Sequence, residues 1–254
     1  MKHSSLESSE NLYKFLSQFQ ILGSVEDIVK TPDQDSALCV IKSWVEATKD
    51  QRFHNYYSDF KYEEPILYLR KSLVTAYDKK FSLPSASNLN PDLKESCNQI
   101  LFSLVGKARV AGRLELAEKY ASEVIETSSI SSIQKSIETA KNHWTRGNSD
   151  IAKFILSELI KKKSSQDLEM YPKLLLLYGE WLYESMEERA DTIFKEYLIK
   201  SCKLIESKRN IKYEDVSEAN IVVAKYADTQ YQKLADYVQS DLFIKKKSLS
   251  NKVS

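Results

Sequence analysis

Apolar residues recur along most of this chain at steps of three and four, with polar interruptions between the runs. That spacing sets one face of a helix against a neighbour. Leu38, Ile41, Trp44 and Val45 follow it in an element spanning Ala37 to Ala47, after the turn "TPDQD". Ile66, Leu69, Leu73 and Tyr77 form the next stripe, in a helix that opens at Glu63 to Pro65 behind the tyrosine-dense "FHNYYSDFKYEEP". Proline near such an opening suits the first turn, whose N–H groups have no partner. A weaker helix covers about Glu10 to Ile21.

Beyond the loop "PSASNLNPD" (Pro84 to Asp92), Ile100, Leu101, Leu104, Val105 and Ala108 mark a long helix. Gly112 separates it from a second pattern on Leu114, Ala117, Tyr120, Ala121 and Val124, and the small residues allow the two helices to approach closely. The turn "RGNSD" offers Ser149 or Asp150 as a cap for a helix carrying Ile151, Phe154, Ile155, Leu159 and Ile160. "YPKLLLLYGEWLYESM" supplies a wide arc of Leu174, Leu177, Tyr178, Trp181, Leu182 and Met186. A further helix runs from about Glu187 to Ser207, and the last runs from Tyr213 to Tyr237.

About ten helices with mostly short connections predict an all-α fold. The architecture expected is an elongated α-solenoid of antiparallel helix pairs, helical-repeat-like but without an exact internal sequence repeat. Composition agrees, since five glycines and five prolines leave few of the turns that a strand fold needs.

Charge adds little, because 37 basic residues face 36 acidic ones and the formal net charge is +1. Attraction to phosphates would therefore have to be local. The triplets Lys161 to Lys163 and Lys245 to Lys247 lack interleaved aromatics and read as exposed charge, so no direct nucleic-acid contact is expected. No run of 18 apolar residues calls for a membrane.

Cys39, Cys97 and Cys202 are too dispersed for a disulfide framework or a metal cluster, and His3, His54 and His143 are equally scattered. The adjacent pairs Glu63–Glu64 and Glu187–Glu188 diverge and read as solvated. Trp44, Trp144 and Trp181 read as rings buried between helices. No glycine-rich phosphate loop, "HRD" or "DFG" is present, so neither cofactor nor metal is expected here, and no catalytic residue is assigned.

Four segments stand in a familiar order: "YEEPILYLRKSL" (Tyr62 to Leu73), "LVGKARVAGRLELAEKYASEV" (Leu104 to Val124), "LLLYGEWLYES" (Leu175 to Ser185) and "VAKYADTQYQKLADYVQSDLFIKKKSL" (Val223 to Leu249). Together they resemble the FAT domain of ATM-type phosphatidylinositol 3-kinase-related protein kinases. "GEWL" stands where the family tends to have Gly-Asn-Trp-Leu. The resemblance covers residues 62–249. Residues 1–61 form a helical segment whose boundary with an upstream solenoid is left open, and 250–254 read as a truncated or disordered tail.

The resemblance implies a non-catalytic scaffold segment of a very large nuclear serine/threonine protein kinase, of a fungal kind, acting in DNA double-strand-break checkpoint signalling and telomere maintenance. The chain reads as a fragment, because no kinase lobe follows. ATP and Mg would belong only to that absent kinase domain. The implied partners are the kinase domain and upstream solenoid of the same polypeptide, a second copy in a homodimer, and protein activators at DNA ends. A stand-alone helical-repeat protein-binding module is the alternative. The scaffold residues singled out are Gly179, Trp181, Leu182, Asp228, Thr229, Gln230, Tyr231, Gln232, Leu234 and Val238.

Val223, Ala227, Tyr231, Leu234 and Val238 keep helical spacing, which reads Tyr231 as a packed ring. Thr229 and Gln232 also meet capping-box spacing, yet the stripe crosses them in phase, which favours an unbroken helix. Ser17-Gln18, Ser165-Gln166 and Thr229-Gln230 match the family's Ser/Thr-Gln target dipeptide, and the first two read as accessible.

Overall fold

The computed structural model describes residues 4–49, 59–81, 91–125, 129–162, 170–207, 213–240 and 243. Among these, every regular element is a helix: α1 (Ser4–Val29), α2 (Gln34–Lys49), α3 (Phe60–Phe81), α4 (Pro91–Val110), α5 (Leu114–Glu123), α6 (Ser129–Thr145), α7 (Ser149–Lys161) and α8 (Tyr171–Ser185). α9 begins as Ala190–Thr192, continues through a π-helical stretch at Ile193–Ile199 and ends as Lys200–Glu206; α10 is Tyr213–Gln239. The chain divides into two compact units, Met1–Ala152 and Lys153–Ser254.

In the first unit, helices adjacent in sequence pack together and alternate helices also touch, α1 on α3 and α2 on α4. Two hydrogen bonds fix the direction of the first alternate pair. Ser17 Oγ donates to the Tyr62 carbonyl at 3.0 Å and Arg70 Nε donates to Ser24 Oγ at 3.1 Å, so α1 and α3 advance together and run parallel. The same holds for α3 and α5, where Tyr120 Oη donates to Glu64 and Lys71 Nζ to Glu123. Glu63 near the start of α3 meets Lys107 near the end of α4 at 2.6 Å, which makes that sequential pair antiparallel. Antiparallel neighbours with parallel next-neighbours are the packing rule of a helical repeat.

The core of this unit is built by the predicted stripes. Ile41, Ile100, Leu101, Leu104, Val105, Ala108 and Ala117 are fully buried, with Trp44 and Tyr120 nearly so. Each large side chain removed from water in this way stabilises the fold by about 1.5 to 3 kcal/mol. Gly112 and Gly147 close their turns at φ 71° and 84°, a backbone region that glycine adopts without strain.

Several expectations need correction. α1 is longer than Glu10 to Ile21. α2 starts at Gln34, three residues before the expected Ala37, because Asp33 Oδ1 accepts the Ser36 N–H at 2.7 Å and caps the helix there. Likewise α3 opens at Phe60, where Asp59 Oδ1 takes the Lys61 N–H, and Pro65 sits inside the helix. Glu63 and Glu64 do diverge, but to Lys107 and Tyr120, and both are half-buried rather than solvated.

Ser17 is buried against α3, not accessible. In α7 the buried positions are Ala152, Lys153 and Leu156; of the expected run, Ile155, Leu159 and Ile160 are half-buried, while Ile151 and Phe154 are exposed. Residues 84–90 of the expected loop, Ser165-Gln166, Lys163, Lys245 to Lys247, His3 and His54 lie outside the described residues. Cys39 is exposed, whereas Cys97 and Cys202 are buried; Trp144 is only partly buried.

The second unit repeats the packing rule. Ser201 Oγ donates to the Pro172 carbonyl at 2.7 Å while Tyr178 and Tyr197 rings meet at 5.4 Å, so α8 and α9 are antiparallel. Lys173 pairs with Asp215 at 2.8 Å and Tyr183 meets Tyr226 at 4.9 Å, so α8 and α10 run parallel. α10 is one unbroken helix, as the continuous stripe favoured. Thr229 does not cap: its Oγ1 donates to the Lys225 carbonyl, one turn back. No described helix is long and apolar enough to cross a membrane.

Candidate functional site

The two segments that carry the strongest motifs, "GEWL" on α8 and "YADTQYQ" on α10, come together around one ring. Tyr226 is buried between Tyr183 of α8, edge-on at 4.9 Å, and Phe194 of α9, stacked at 6.1 Å. Its hydroxyl donates to the Ala190 carbonyl at 2.8 Å, which ties α10 to the start of α9. Such aromatic pairs contribute about 0.5 to 1.5 kcal/mol beyond their buried area.

Local sequence explains the arrangement. Ala219 and Tyr226 are seven residues apart, two helical turns, and the half-buried Val222 and Val223 lie between them on the same side. On α8, Leu174, Leu175, Trp181 and Leu182 are buried, and Gly179 removes a side chain where α9 crosses. A Cβ at Gly179 would stand 2.9 Å from Leu198 Cδ2 and 3.0 Å from Tyr197 Cβ. The crossing falls in the π-helical stretch of α9, where the backbone turn is widened.

The electrostatics are those of a neutral cluster. Burial, reinforced by Tyr183 and Asp191, raises the Tyr226 hydroxyl above the usual tyrosine range. Burial does the same for Tyr178 and Tyr197, and raises the Cys202 thiol. All of these groups stay protonated near neutrality. They hold shape, the Tyr226 hydroxyl donates a hydrogen bond, and nothing among these described residues pairs a nucleophile with a base.

The sequence-predicted residues divide. Gly179, Trp181 and Leu182 are buried in the junction. Thr229 and Gln230 are half-buried, while Asp228, Gln232, Tyr231, Leu234 and Val238 are exposed. Tyr231 is therefore not a packed ring within this chain, being 67% exposed. The packing face of α10 is set by Ala219 and Tyr226, and five residues further on is about 140° round the helix at 3.6 residues per turn.

Tyr183, Phe194, Tyr197 and Ala190 belong to the junction and were missed. The heptad step from Ala219 to Tyr226 was the available signal for the ring they surround. A shallow groove in the first unit is lined by Thr48, Phe60, Glu63, Phe102, Lys107 and Arg109. Its two cations are already paired, Lys107 with Glu63 and Arg109 with Glu138.

The chain matches the FAT domain family over residues 1–237. Serine-protein kinase ATM of Sus scrofa is 27% identical over 266 aligned positions, covering 96% of this chain and 8% of the relative. Serine/threonine-protein kinase ATM of Drosophila melanogaster is 24% identical over 264 positions, covering 93% of this chain and 9% of the relative. The chain thus spans less than a tenth of the length of these curated relatives. Matched by the family model over nearly its whole length, the chain belongs to the FAT domain family.

Proposed function

We propose that this chain is the non-catalytic FAT scaffold segment of a large nuclear serine/threonine protein kinase that acts in double-strand-break checkpoint signalling and telomere maintenance. Support comes from the family match and from the two ATM relatives. ATP and Mg are used by the kinase domain of the parent, not by this segment, which touches neither nucleic acid nor membrane. The parent acts as a homodimer and answers to protein activators at DNA ends.

One observation carries the mechanism. α10 is anchored at Tyr226 and turns a second apolar stripe, Tyr231, Leu234 and Val238, away from α8 and α9. In the parent that stripe lies against the catalytic unit, and α10 transmits the packing state of the scaffold to it. Such a role requires contacts that differ in energy between two kinase states.

The test is Leu234→Ala and Val238→Ala, made separately in the full-length parent, with folding verified by melting. Phosphorylation of a Ser-Gln peptide is measured with and without the activating partner. A coupling contact should change basal or activated rate by about 5-fold or more. Parental rates in both folded variants would reduce α10 to local packing or to a binding surface that the assay does not sample; the alternative of a stand-alone helical-repeat binding module is decided instead by whether kinase lobes follow in the same reading frame.

A further inference from the structure

α1 carries its largest apolar residues on the side opposite its neighbour. Toward α3 it turns Tyr13, Ser17, Gln20, Ser24 and Ile28, and this face is held largely by polar contacts from Ser17 and Ser24. On the opposite side stand Leu12, Phe15, Phe19, Leu22 and Val29, all exposed, with Phe19 at 68% and Leu22 at 64%. Their steps of three and four make one seam, interrupted only by Glu26, which pairs with Lys30. An exposed apolar strip of this extent on a helix whose other face is already packed marks an interaction surface.

The layer to which α1 belongs indicates the occupant. α3 packs on α1 and runs parallel to it, and α5 runs parallel to α3, joined to it through the Tyr120–Glu64 and Lys71–Glu123 side-chain contacts. The seam lies opposite the α3 contact, so a helix set against it would extend that stack by one position. In the Sus scrofa relative, the matched segment is 8% of a far longer polypeptide.

We infer that the Leu12–Phe15–Phe19–Leu22–Val29 seam is the stacking surface for a further helix of the parent polypeptide, from outside these 254 residues. That helix runs parallel to α1 and presents Leu, Ile, Val or Phe at the same three- and four-residue steps. The inference rests on the reading of the chain as a segment of a longer ATM-type protein. A second copy fits the seam less well. Antiparallel pairing of two α1 helices about the seam's midpoint matches Leu12 with Val29 and Phe19 with Leu22, but sets Glu26 on Phe15, burying a carboxylate against a ring.

The experiment follows maleimide labelling of one introduced cysteine at a time, read at its own peptide by mass spectrometry, in the full-length parent, after Cys39→Ser removes the exposed native thiol of this segment and leaves the buried Cys97 and Cys202. Phe19→Cys and Leu22→Cys report on the seam, and Lys14→Cys, exposed on the same helix, is the control. The seam cysteines should react about 10-fold slower than the control in the parent, and at similar rates to it in the 254-residue chain alone. A photo-cross-linker attached at Phe19→Cys should then capture a helical segment of the same polypeptide from outside this chain.

Equal labelling of seam and control in the parent overturns the inference. So does a cross-link to the kinase domain, or to a second copy, recognised by mixing isotope-labelled and unlabelled parent. Labelling reads contact without reference to activity. Parental kinase rates in the Leu234 and Val238 variants would therefore remove the coupling role of α10 and leave the seam standing, and equal labelling would do the reverse.

Discussion

Gly179 of α8 and Leu198 of α9 approach so closely that a Cβ on the glycine would stand 2.9 Å from Leu198 Cδ2. The leucine tip can swing aside, but Tyr197 Cβ, at 3.0 Å, moves only with its backbone. Gly179→Ala gains about 1 kcal/mol of helix propensity and loses about 1 to 3 kcal/mol to overpacking. The expected result is a net loss of up to about 2 kcal/mol in denaturant melts.

Gly23→Ala provides the opposite case, because no heavy atom lies within 4 Å of its added Cβ and its backbone is already helical. That variant should gain up to about 1 kcal/mol from propensity alone. If both glycine variants shift the midpoint in the same direction, the close crossing of α8 and α9 is not what selects glycine at Gly179.

Trp181 and Tyr231 are the two aromatic anchors that the sequence motifs single out, and the structure gives them opposite environments. Trp181 is 4% exposed and Tyr231 is 67% exposed. Trp181→Ala should cost about 3 to 5 kcal/mol, from lost contacts and an unfilled volume. Tyr231→Ala should stay within about 0.5 kcal/mol of the parent chain. A Tyr231 variant that melts as early as the Trp181 variant would show that the ring is buried in solution, by self-association or otherwise.

What could be read from the sequence follows from which interactions are local. The α4–α5 hairpin was legible because Gly112 marks its turn and both apolar stripes face inward, from Ile100 to Ala108 and from Ala117 to Val124. The continuity of α10 was legible from the uninterrupted stripe. The environment of Tyr231 was not, because helical spacing shows which residues share a face and not which face is covered.

α1 was underestimated for a related reason. Its α3 face is partly polar and its free face is apolar, so the pattern has little contrast between inside and outside. The starts of α2 and α3 were placed late because Asp33 and Asp59 act through capping bonds rather than through the apolar period. The π-helical stretch of α9 has no signature in apolar spacing; it is seen only where Tyr197 and Leu198 meet Gly179.

The purified chain should transfer no phosphate. The sequence contains no glycine-rich phosphate loop and no metal-positioning motif, and burial keeps the Tyr178, Tyr197 and Tyr226 hydroxyls protonated near neutrality. The assay uses labelled ATP and Ser-Gln peptides with the 254-residue polypeptide and a mock preparation. Transfer that follows the chain through purification and is missing from the mock would require a phosphate site that these helices do not provide.

The hydroxyl of Tyr226 gives the junction a defined alkaline response. Around it stand Tyr183 of α8, Asp191 of α9 and the Ala190 carbonyl that accepts its proton, with Lys233 of α10 over the Tyr183 ring. Burial comes first in raising its pKa, so the folded hydroxyl ionises above the ordinary tyrosine value of 10.0. Below that value both folded and unfolded chains keep the proton, and pH does not alter this contribution. Above it the unfolded chain releases its proton first, so stability falls as pH rises, and the contribution is lost once the pH passes the folded value.

Tyr226→Phe removes the hydrogen bond and, with it, this titration. At pH 8 the variant should be less stable by about 0.5 to 1.5 kcal/mol. The deficit should then narrow as pH rises beyond about 10, because only the tyrosine form pays for deprotonation there. Tyr178 and Tyr197 are raised in the same direction and titrate in both proteins, so the difference between the two curves isolates Tyr226. Urea midpoints measured from pH 8 to pH 11 supply the comparison. A gap between parent and variant that stays constant across that range would mean that the Tyr226 hydroxyl is not held by Ala190 in solution, and that α10 is anchored by its ring alone.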